Sequence, residues 1–357
     1  KKGSAYDLDV EFAKGLPTTS SLGQKVKQDF SKACKDGLLY GKVSLPTYRK
    51  DNPLLVHVDY VRLRETNPHK DNGIYHNYES YDEFISKLYD KDLEIFIRFA
   101  NGITFKMILG QPHKSIYLRE EIKKIFDGEY NVCGSSIQFN DKKIILNMSM
   151  DIPKISRELD ENTVVGVDLG IAVPAVCGLN NSNVKKQFIG SKEDFLRIRT
   201  QLQAQRKRLQ KNVKITNGGH GRNKKLKALD KLSNKERNFV KTYNHYVSKQ
   251  VIDFALKNNA KYINMEDLSG FDTNKFILRN WSFYELQQFI TYKAQRYGIE
   301  VRKINPYHTS QICSKCGHWE EGQRDTQDHF KCKACGYEDN ADFNASKNIA
   351  KSIDFRK

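Results

Sequence analysis

The stretch Val164-Val165-Gly166-Val167-Asp168-Leu169-Gly170 decides the fold. The residues before Asp168 are apolar or lack a side chain, and such a run predicts a strand buried within a sheet. Because the run ends in an acidic residue, we expect the Asp168 carboxylate at the rim of that sheet. A second run, Tyr262-Ile-Asn-Met-Glu266-Asp, ends in the same way and predicts a second carboxylate at a sheet rim.

A third acidic residue, Asp342, lies in the segment Asn-Ala-Asp-Phe-Asn-Ala. Asn340 is a residue type that caps helices, here one that runs through Ala345 and Ile349. The cap places Asp342 in the first helical turn, near the positive end of the helix dipole and directed toward the sheet. Taken singly, each of the three acids also has an ordinary interpretation, as a turn residue after a strand or a solvated helix cap.

Together, the three acids predict a magnesium site. Carboxylate oxygens are the hard ligands that Mg²⁺ prefers in proteins. Two Mg²⁺ ions about 4 Å apart would activate a water molecule and stabilise a leaving 3′ oxygen, which gives in-line phosphodiester hydrolysis with a 5′-phosphate product. In this scheme Asp168 bridges the ions, and Glu266 and Asp342 each complete one. The sequence therefore indicates an enzyme that cuts nucleic acid.

The order of the elements around these acids predicts the fold of the catalytic part. Three strands precede a basic helix and a long helical region, and then strand, helix and strand follow. This order is typical of a ribonuclease H-like α/β domain, in an α+β multidomain protein. We predict strands over 164–167, 172–177, 185–189, 261–265 and 300–304, and helices over 193–211, 226–258 and 283–297. The domain is expected to span 161–305 and to resume over 339–357.

The preceding residues predict a different architecture. Residues 43–160 hold short strands and one helix, which favours a small β-barrel of the oligonucleotide-binding kind. A helix with a basic face is predicted within 1–42, from the spacing of Leu22, Val26, Phe30 and Cys34. The strands of the barrel are expected as two hairpins, 93–99 with 103–109 and 135–139 with 143–150, and its helix is expected over 118–126.

Four of the seven cysteines predict a structural zinc site. They form two Cys-x-x-Cys pairs with fifteen residues between them, the spacing of a four-cysteine zinc ribbon. The ribbon, over 306–338, is an insertion between Glu266 and Asp342. Because protein thiolates fill all four positions, the spacing argues against a catalytic zinc. The ligands are Cys313, Cys316, Cys332 and Cys335. The other three cysteines stand alone, which favours a reducing compartment.

The charge balance predicts a polyanionic partner. Sixty Lys and Arg against 43 acidic residues give a net charge of +17, and nucleic acid is the partner that such a balance favours. A membrane surface is the alternative, but no stretch approaches the roughly 20 apolar residues of a spanning helix. The start at Lys1-Lys2-Gly3-Ser4 has neither an initiating Met nor a signal-peptide pattern, which predicts a cytoplasmic location and a missing natural start.

Two basic features keep two interpretations each. Residues 216–225 predict a flexible basic loop that is either a solvated linker or a phosphate contact, because glycine lets backbone amides approach a ligand closely. His220 within it is more simply a surface residue than a catalytic base. Arg324 either neutralises charge on a scissile phosphate or is a surface cation.

With these residues assembled, the chain resembles the RuvC-type nucleases of TnpB transposon proteins and their CRISPR descendants. The resemblance rests on the segments around the three acids and the four cysteines, and it runs from about Leu22 to Ile349. Three further segments resemble the miniature type V-F CRISPR effectors most. They are Gly-Gly-His-Gly-Arg222, Asn280-Trp281-Ser-Phe-Tyr-Glu-Leu-Gln-Gln and Ser44-Leu-Pro-Thr-Tyr-Arg49-Lys.

This resemblance implies an RNA-guided DNA endonuclease of antiviral defence, in which one RuvC site cuts both strands of guide-matched DNA beside a T-rich flanking motif. It implies guide RNA, target double-stranded DNA and a second copy of the chain on one guide RNA as partners. Asp168, Glu266 and Asp342 become the catalytic acids, and Arg324 becomes an auxiliary catalytic residue. The expected nucleic-acid contacts are Arg49, Lys50, Arg206, Arg208, His220, Arg222, Lys224 and Lys225.

The resemblance also assigns the parts of the chain. It makes 1–42 the remnant of a helical recognition lobe, 43–160 a wedge domain, and the ribbon a module that binds target nucleic acid. Family members carry more residues before the segment that matches Leu22, which leaves flanking-motif reading and dimerisation open. The alternatives are a transposon-encoded TnpB-type nuclease, a non-cutting RNA-guided repressor, which the intact acids argue against, and a zinc-ribbon transcription factor.

Overall fold

A computed structural model describes residues 22–47, 53–56, 58, 61–63, 73–99, 103–140, 143–170, 173–215, 218–267, 283–305, 309–326 and 328–355. The chain divides into two compact units, Lys1–Pro153 and Lys154–Lys357. None of the helices in the described ranges combines the length and the apolar character needed to span a bilayer.

The N-terminal unit contains two three-stranded antiparallel sheets. The elements are α1 (Leu22–Lys35), β1 (Leu54–Val56), β2 (Gly73–His76), α2 (Tyr81–Lys87), β3 (Ile95–Arg98), β4 (Thr104–Lys106), α3 (Ile116–Phe126), β5 (Asn131–Asn140) and β6 (Lys143–Asp151). In one sheet, β5 lies between β1 and β6, and in the other β3 lies between β2 and β4. A shared apolar core that includes Phe84, Leu88 and Ile122 joins strands of both sheets to the helices.

The expected barrel is not seen as a closed structure among the described residues. Both predicted hairpins are present, as β3 with β4 and β5 with β6, and so are the helices near Leu22 and Leu118. A barrel requires hydrogen bonding to continue around all its strands, whereas these strands are divided between two sheets. Hairpin signals identify neighbours along the chain, but they do not specify how one hairpin meets the next.

Helix α2 was missed by the sequence analysis, although a local signal for it exists. Ser80-Tyr-Asp-Glu83 has the spacing of a capping box, and the Ser80 hydroxyl accepts a hydrogen bond from the Glu83 amide. The Glu83 carboxylate in turn accepts from the amide of Glu79, at 2.9 Å. The strand pattern of the surrounding sequence concealed this short helix.

The C-terminal unit is built on a five-stranded sheet. Its elements are β7 (Asp160–Asp168), β8 (Ala175–Leu179), β9 (Ser182–Ile189), α4 (Lys192–Lys214), α5 (Gly219–Lys257), β10 (Ala260–Glu266), α6 (Phe283–Arg296), β11 (Glu300–Ile304), β12 (His329–Lys331), β13 (Glu338–Asn340) and α7 (Ala341–Lys351). The strand order in the sheet is β11-β10-β7-β8-β9. Strands β7, β8 and β9 form an antiparallel meander, and β10 and β11 run parallel to β7. The predicted order of strands and helices is therefore confirmed.

The expected loop over 216–225 is wrong from residue 219 onward, because α5 begins there. Gly218 directly precedes this helix with φ of 71°, a conformation that glycine adopts at little cost. Three glycines in four residues suggested a longer loop, but the Lys-rich and Leu-rich sequence that follows favours a helix.

A pair of glycines lets α7 lie directly on the sheet. Gly166 on β7 is paired with Gly178 on β8. A Cβ atom at Gly166 would lie 1.9 Å from the Ser346 carbonyl oxygen, and one at Gly178 would lie 2.5 Å from the Ser346 hydroxyl. Only residues without a side chain permit this approach. The glycines thus set how close the helix that carries Asp342 comes to the strand that carries Asp168.

Candidate nuclease and metal sites

Two of the predicted acids lie side by side at the carboxyl end of the sheet. Strands β7 and β10 are parallel, with Met265 paired to Val167. Asp168 and Glu266 are each one residue beyond that pair and each ends its strand. Neighbouring strands are about 4.8 Å apart. The two carboxylates therefore share one edge, as the sequence predicts.

The third acid reaches the site on α7. Asn340 caps this helix by accepting a hydrogen bond from the Phe343 amide at 3.0 Å, which confirms the predicted cap. Asp342 lies in the first turn and is only 4% exposed. Helix α7 packs on β7 and β8 at the glycine pair, so its N-terminal turn is brought to the edge of the sheet that holds Asp168.

The three acids interact electrostatically. Burial raises the pKa of Asp168 well above its usual range, and the nearby carboxylates of Glu266 and Asp342 raise it further, while Arg324 lowers it. Burial also raises the pKa values of Glu266 and Asp342. Like charges crowded together in a desolvated place are costly unless protons or cations neutralise them. This cluster therefore suits a divalent cation.

Glu266 is held on both its side chain and its main chain. The Thr309 hydroxyl donates a hydrogen bond to Glu266 Oε1, which lowers the pKa of this carboxyl against the larger effect of burial. The buried Gln287 side chain donates to the Glu266 carbonyl oxygen at 2.7 Å. Neither partner was singled out from the sequence. Only the tertiary structure shows that Thr309 meets Glu266, because the two residues are 43 positions apart in the chain.

Arg324 contacts the acid cluster. Its Nη2 lies 2.9 Å from Asp342 Oδ1, and its charge opposes the rise that burial causes in the Asp342 pKa. The sequence left open a phosphate contact or a surface cation. The structure places the guanidinium, with a side chain 22% exposed, as the partner of an acid in the cluster.

The two candidate metal sites differ in how tightly their ligands are gathered. Among the described residues, one group of possible metal ligands is compact: the four cysteine sulfurs, which all lie within 4.8 Å of one another. The carboxylates of Asp168, Glu266 and Asp342 do not form a comparable compact group among these described residues. All donors in the acid cluster are oxygens, which suit Mg²⁺.

The cysteines form the two knuckles of a ribbon. The Sγ atoms of Cys313 and Cys335 are 3.7 Å apart, and those of Cys316 and Cys332 are 3.6 Å apart. Gly317, with φ of 75°, donates its amide to the Cys313 carbonyl oxygen at 2.9 Å, and Gly336 repeats this turn at Cys332. Four thiol groups in two such turns can bind zinc with tetrahedral geometry.

The expected nucleic-acid contacts have varied environments. Arg206 pairs with Glu236 at 3.0 Å, while Arg222 and Lys225 donate to the carbonyl oxygens of Val213 and Asn212 near the end of α4. These three side chains thus also have structural contacts. Arg208 and Lys224 are exposed. Arg49 and Lys50 lie outside the described residues, as does the side chain of His220, whose backbone is in α5.

Two family models match the chain. One, described as "Cas12f1-like, TNB domain", matches residues 283–349, and the other, described as "Probable transposase", matches residues 147–272. The first match covers the ribbon together with α6 and most of α7. The second covers β7 to β10, including Asp168 and Glu266.

Known proteins similar to this chain are CRISPR-associated and TnpB-like. The chain is 35% identical over 341 residues to the CRISPR-associated endodeoxyribonuclease Cas12f1 of Sulfoacidibacillus thermotolerans, across 93% of this chain and 76% of that protein. It is 38% identical over 138 residues to a TnpB-like protein of Methanocaldococcus jannaschii, across 36% of this chain and 48% of that one. A Cas12f1 chain solved with sgRNA and target DNA superposes with a TM-score of 0.67 and 26% identity, over 94% of this chain and 71% of that one.

Proposed function

The chain belongs to the Cas12f1 family of CRISPR-associated endodeoxyribonucleases, and from this premise we propose that it is an RNA-guided DNA endonuclease that cuts at the cluster of Asp168, Glu266 and Asp342. The observation that carries the proposal is the meeting of three remote acids. Two of them end adjacent parallel strands, and the third is delivered by a helix seated on a glycine pair.

We assign the C-terminal unit to the ribonuclease H-like RuvC class. The strand order, with a three-stranded antiparallel meander extended by two parallel strands, supports this assignment. The domain would span 161–305 and 339–357, with the ribbon over 306–338 as its insertion. Residues 43–160 would form the wedge domain and 1–42 the end of a recognition lobe.

The residues of the site suggest how hydrolysis proceeds. Two Mg²⁺ ions, held by the carboxylates of Asp168, Glu266 and Asp342, would supply a nucleophilic water and stabilise the leaving 3′ oxygen. The positions of these three carboxylates would determine where the cations bind. Thr309 keeps the Glu266 carboxylate in one orientation. Arg324, which pairs with Asp342, would offset the charge of a phosphate that enters the cluster.

The partners follow from the relatives and from the charge. The Cas12f1 structure was solved with sgRNA and target DNA, and a net charge of +17 suits binding of both polyanions. We propose guide RNA and double-stranded DNA as partners, with a T-rich flanking motif and a second copy of the chain on one guide. Cytoplasmic location belongs to the same proposal. The ribbon, within the match to the TNB model, would bind target nucleic acid and hold one zinc ion.

A TnpB-type nuclease that uses an RNA from its own transposon is the second candidate. The "Probable transposase" match and the TnpB-like relative favour it. The two candidates share the acid cluster and differ in the source of the guide. Sequencing the RNA that copurifies with the protein separates them, because CRISPR repeat sequence in that RNA supports the first and transposon-end sequence supports the second.

The central test is cleavage by the complex of full chain and guide RNA. We expect Mg²⁺-dependent cutting of matched linear DNA that Asp168→Ala abolishes, while DNA binding in a gel-shift assay is retained. Asp253→Ala, which removes an exposed aspartate on α5, is the matched control and should cut like wild type. Unchanged cutting by Asp168→Ala would refute the site. Binding without cutting by the wild-type complex would instead support the repressor alternative.

A further inference from the structure

Helix α7 carries Asp342 and also forms hydrogen bonds to the zinc ribbon. Asn344 Nδ2 donates to the Ile312 carbonyl oxygen at 2.8 Å, while its Oδ1 accepts from the Ser314 amide at 2.9 Å. These two residues flank Cys313, a predicted zinc ligand. Asn344 is fully buried, so the contacts are shielded from competing water. The first knuckle is therefore fastened to the helix on both sides of its first cysteine.

Further side chains on α7 extend this attachment. Asn348 donates to the carbonyl oxygens of Thr309 at 2.8 Å and Ile312 at 2.7 Å, and Lys351 donates to Ser314 at 2.7 Å. Asn344, Asn348 and Lys351 are spaced by four and three residues, which places them on one face of the helix. That face binds the main chain of the segment 309–314.

Thr309 connects this segment to the acid cluster. Its carbonyl oxygen accepts from Asn348, and its hydroxyl donates to Oε1 of Glu266. The residue is 8% exposed. This hydrogen bond fixes the position of one of the two Glu266 carboxylate oxygens.

From these contacts we propose that Thr309 is a positioning residue, which orients the Glu266 carboxylate for divalent-cation binding and transmits to it the order that zinc imposes on the first knuckle. The proposal rests on the proposed function, since it concerns the same acid cluster. It adds a linkage: zinc at the cysteines strengthens cation binding at the carboxylates. Thr309 touches Glu266 directly, and Asn348 acts one contact further away.

The linkage has a physical basis in the metal-free ribbon. A small domain with little apolar core depends on its metal for order. When zinc is absent, the segment 309–314 loses the constraint at Cys313, and the Thr309 hydroxyl is no longer fixed beside Glu266. Loss of a group that orients a metal ligand typically lowers metal affinity 10–100-fold. Thr309 should therefore matter only while zinc is bound.

The test measures Mn²⁺ binding by isothermal titration to the full chain without RNA, with zinc content checked by elemental analysis. We expect Thr309→Val to bind Mn²⁺ about 10–100-fold more weakly than wild type, and Thr309→Ser to restore most of the affinity. Thr163→Val is the matched control, because Thr163 is also buried and its hydroxyl also donates to a carboxylate, that of Asp160, at the end of β7 opposite Asp168. Its affinity should equal that of wild type.

A second comparison isolates the zinc linkage. Removing zinc should weaken Mn²⁺ binding by wild type, and Thr309→Val should then cause no further loss. Asn348→Leu, which leaves Thr309 and Glu266 in place, should weaken Mn²⁺ binding in the zinc-loaded chain. Equal Mn²⁺ affinity for wild type and Thr309→Val, alongside a clear loss in Glu266→Gln, would overturn the positioning role. If Glu266→Gln and Asp168→Asn bind Mn²⁺ like wild type, the proposed magnesium site itself is wrong.

Discussion

The cysteine cluster and the acid cluster are assembled in opposite ways. The four cysteines lie within 23 residues, counted from 313 to 335, and two local turns gather them within 4.8 Å. The three acids are spread from residue 168 to residue 342, and they meet only because β7, β10 and α7 pack in one arrangement. Local chain geometry determines the first cluster, whereas tertiary packing determines the second. The two should therefore respond to different kinds of perturbation.

The largest effect is expected from breaking the local cluster. Cys332→Ser removes one of four zinc ligands, and structural zinc contributes about 10–16 kcal/mol of binding free energy in small zinc domains. We expect loss of zinc by elemental analysis and loss of DNA cleavage. Cys133→Ser, which alters an exposed thiol in the N-terminal unit, should retain both. Full zinc occupancy in Cys332→Ser would contradict the predicted ligand set.

A second variant disturbs the packing that brings the three acids together, and it leaves the acids themselves unchanged. Gly166→Ala places a Cβ against the backbone of α7, where it would meet the Ser346 oxygen and the Ala350 nitrogen. Because backbone atoms cannot rotate away, we expect a destabilisation of about 3 kcal/mol or more, seen as a lower midpoint in urea unfolding, together with weaker cleavage. Zinc content should be unchanged. Gly134→Ala is the control, since its Cβ would lie 3.8 Å from the Val56 oxygen, an ordinary contact.

The smallest effect concerns the pH dependence of the metal-free chain. The folded state raises the pKa values of Asp168, Glu266 and Asp342, so it holds more protons than the unfolded state above the ordinary carboxyl pKa of about 4. Their contribution to stability is complete below that pH and is lost as pH rises through the raised pKa values. Each unit of pKa difference corresponds to about 1.4 kcal/mol.

Thermal unfolding of the C-terminal unit, followed from pH 4 upward, checks this expectation. As the pH rises, the melting temperature of wild type without metal should fall more steeply than that of Asp168→Asn, which has no carboxylate charge to desolvate at this position. Added Mg²⁺ should make the fall in wild type less steep. Asp253→Asn should keep the wild-type slope. A wild-type slope in Asp168→Asn would show that this carboxyl is not the desolvated group.

The predictability of the fold follows the same division. Periodicity and capping residues predicted the five-stranded sheet of the C-terminal unit and its helices, including the Asn340 cap, because these signals are local. Among the described residues the strands of the N-terminal unit form two separate sheets and not the predicted closed barrel. The sequence did not reveal this, because no local signal states how the two hairpins meet. The start of α5 was missed because its glycines resemble a loop in sequence.

The candidate site, like the fold, was predictable from the sequence only in part. The acids at the ends of apolar runs and the paired cysteines are visible in sequence. The Thr309 contact with Glu266 and the Arg324 contact with Asp342 are not, because each joins residues on different elements across 43 and 18 positions. Such contacts depend on the packing of α7 and the ribbon against the sheet.

The late position of α7 has a consequence for synthesis on the ribosome. Strands β7 and β10 emerge before the ribbon, and the groove at Gly166 and Gly178 stays open until α7 follows. A nascent chain can thus fold most of its sheet while it still lacks Asp342. With the proposed site, cutting competence would then arise only after translation has passed the cysteines and reached Asp342.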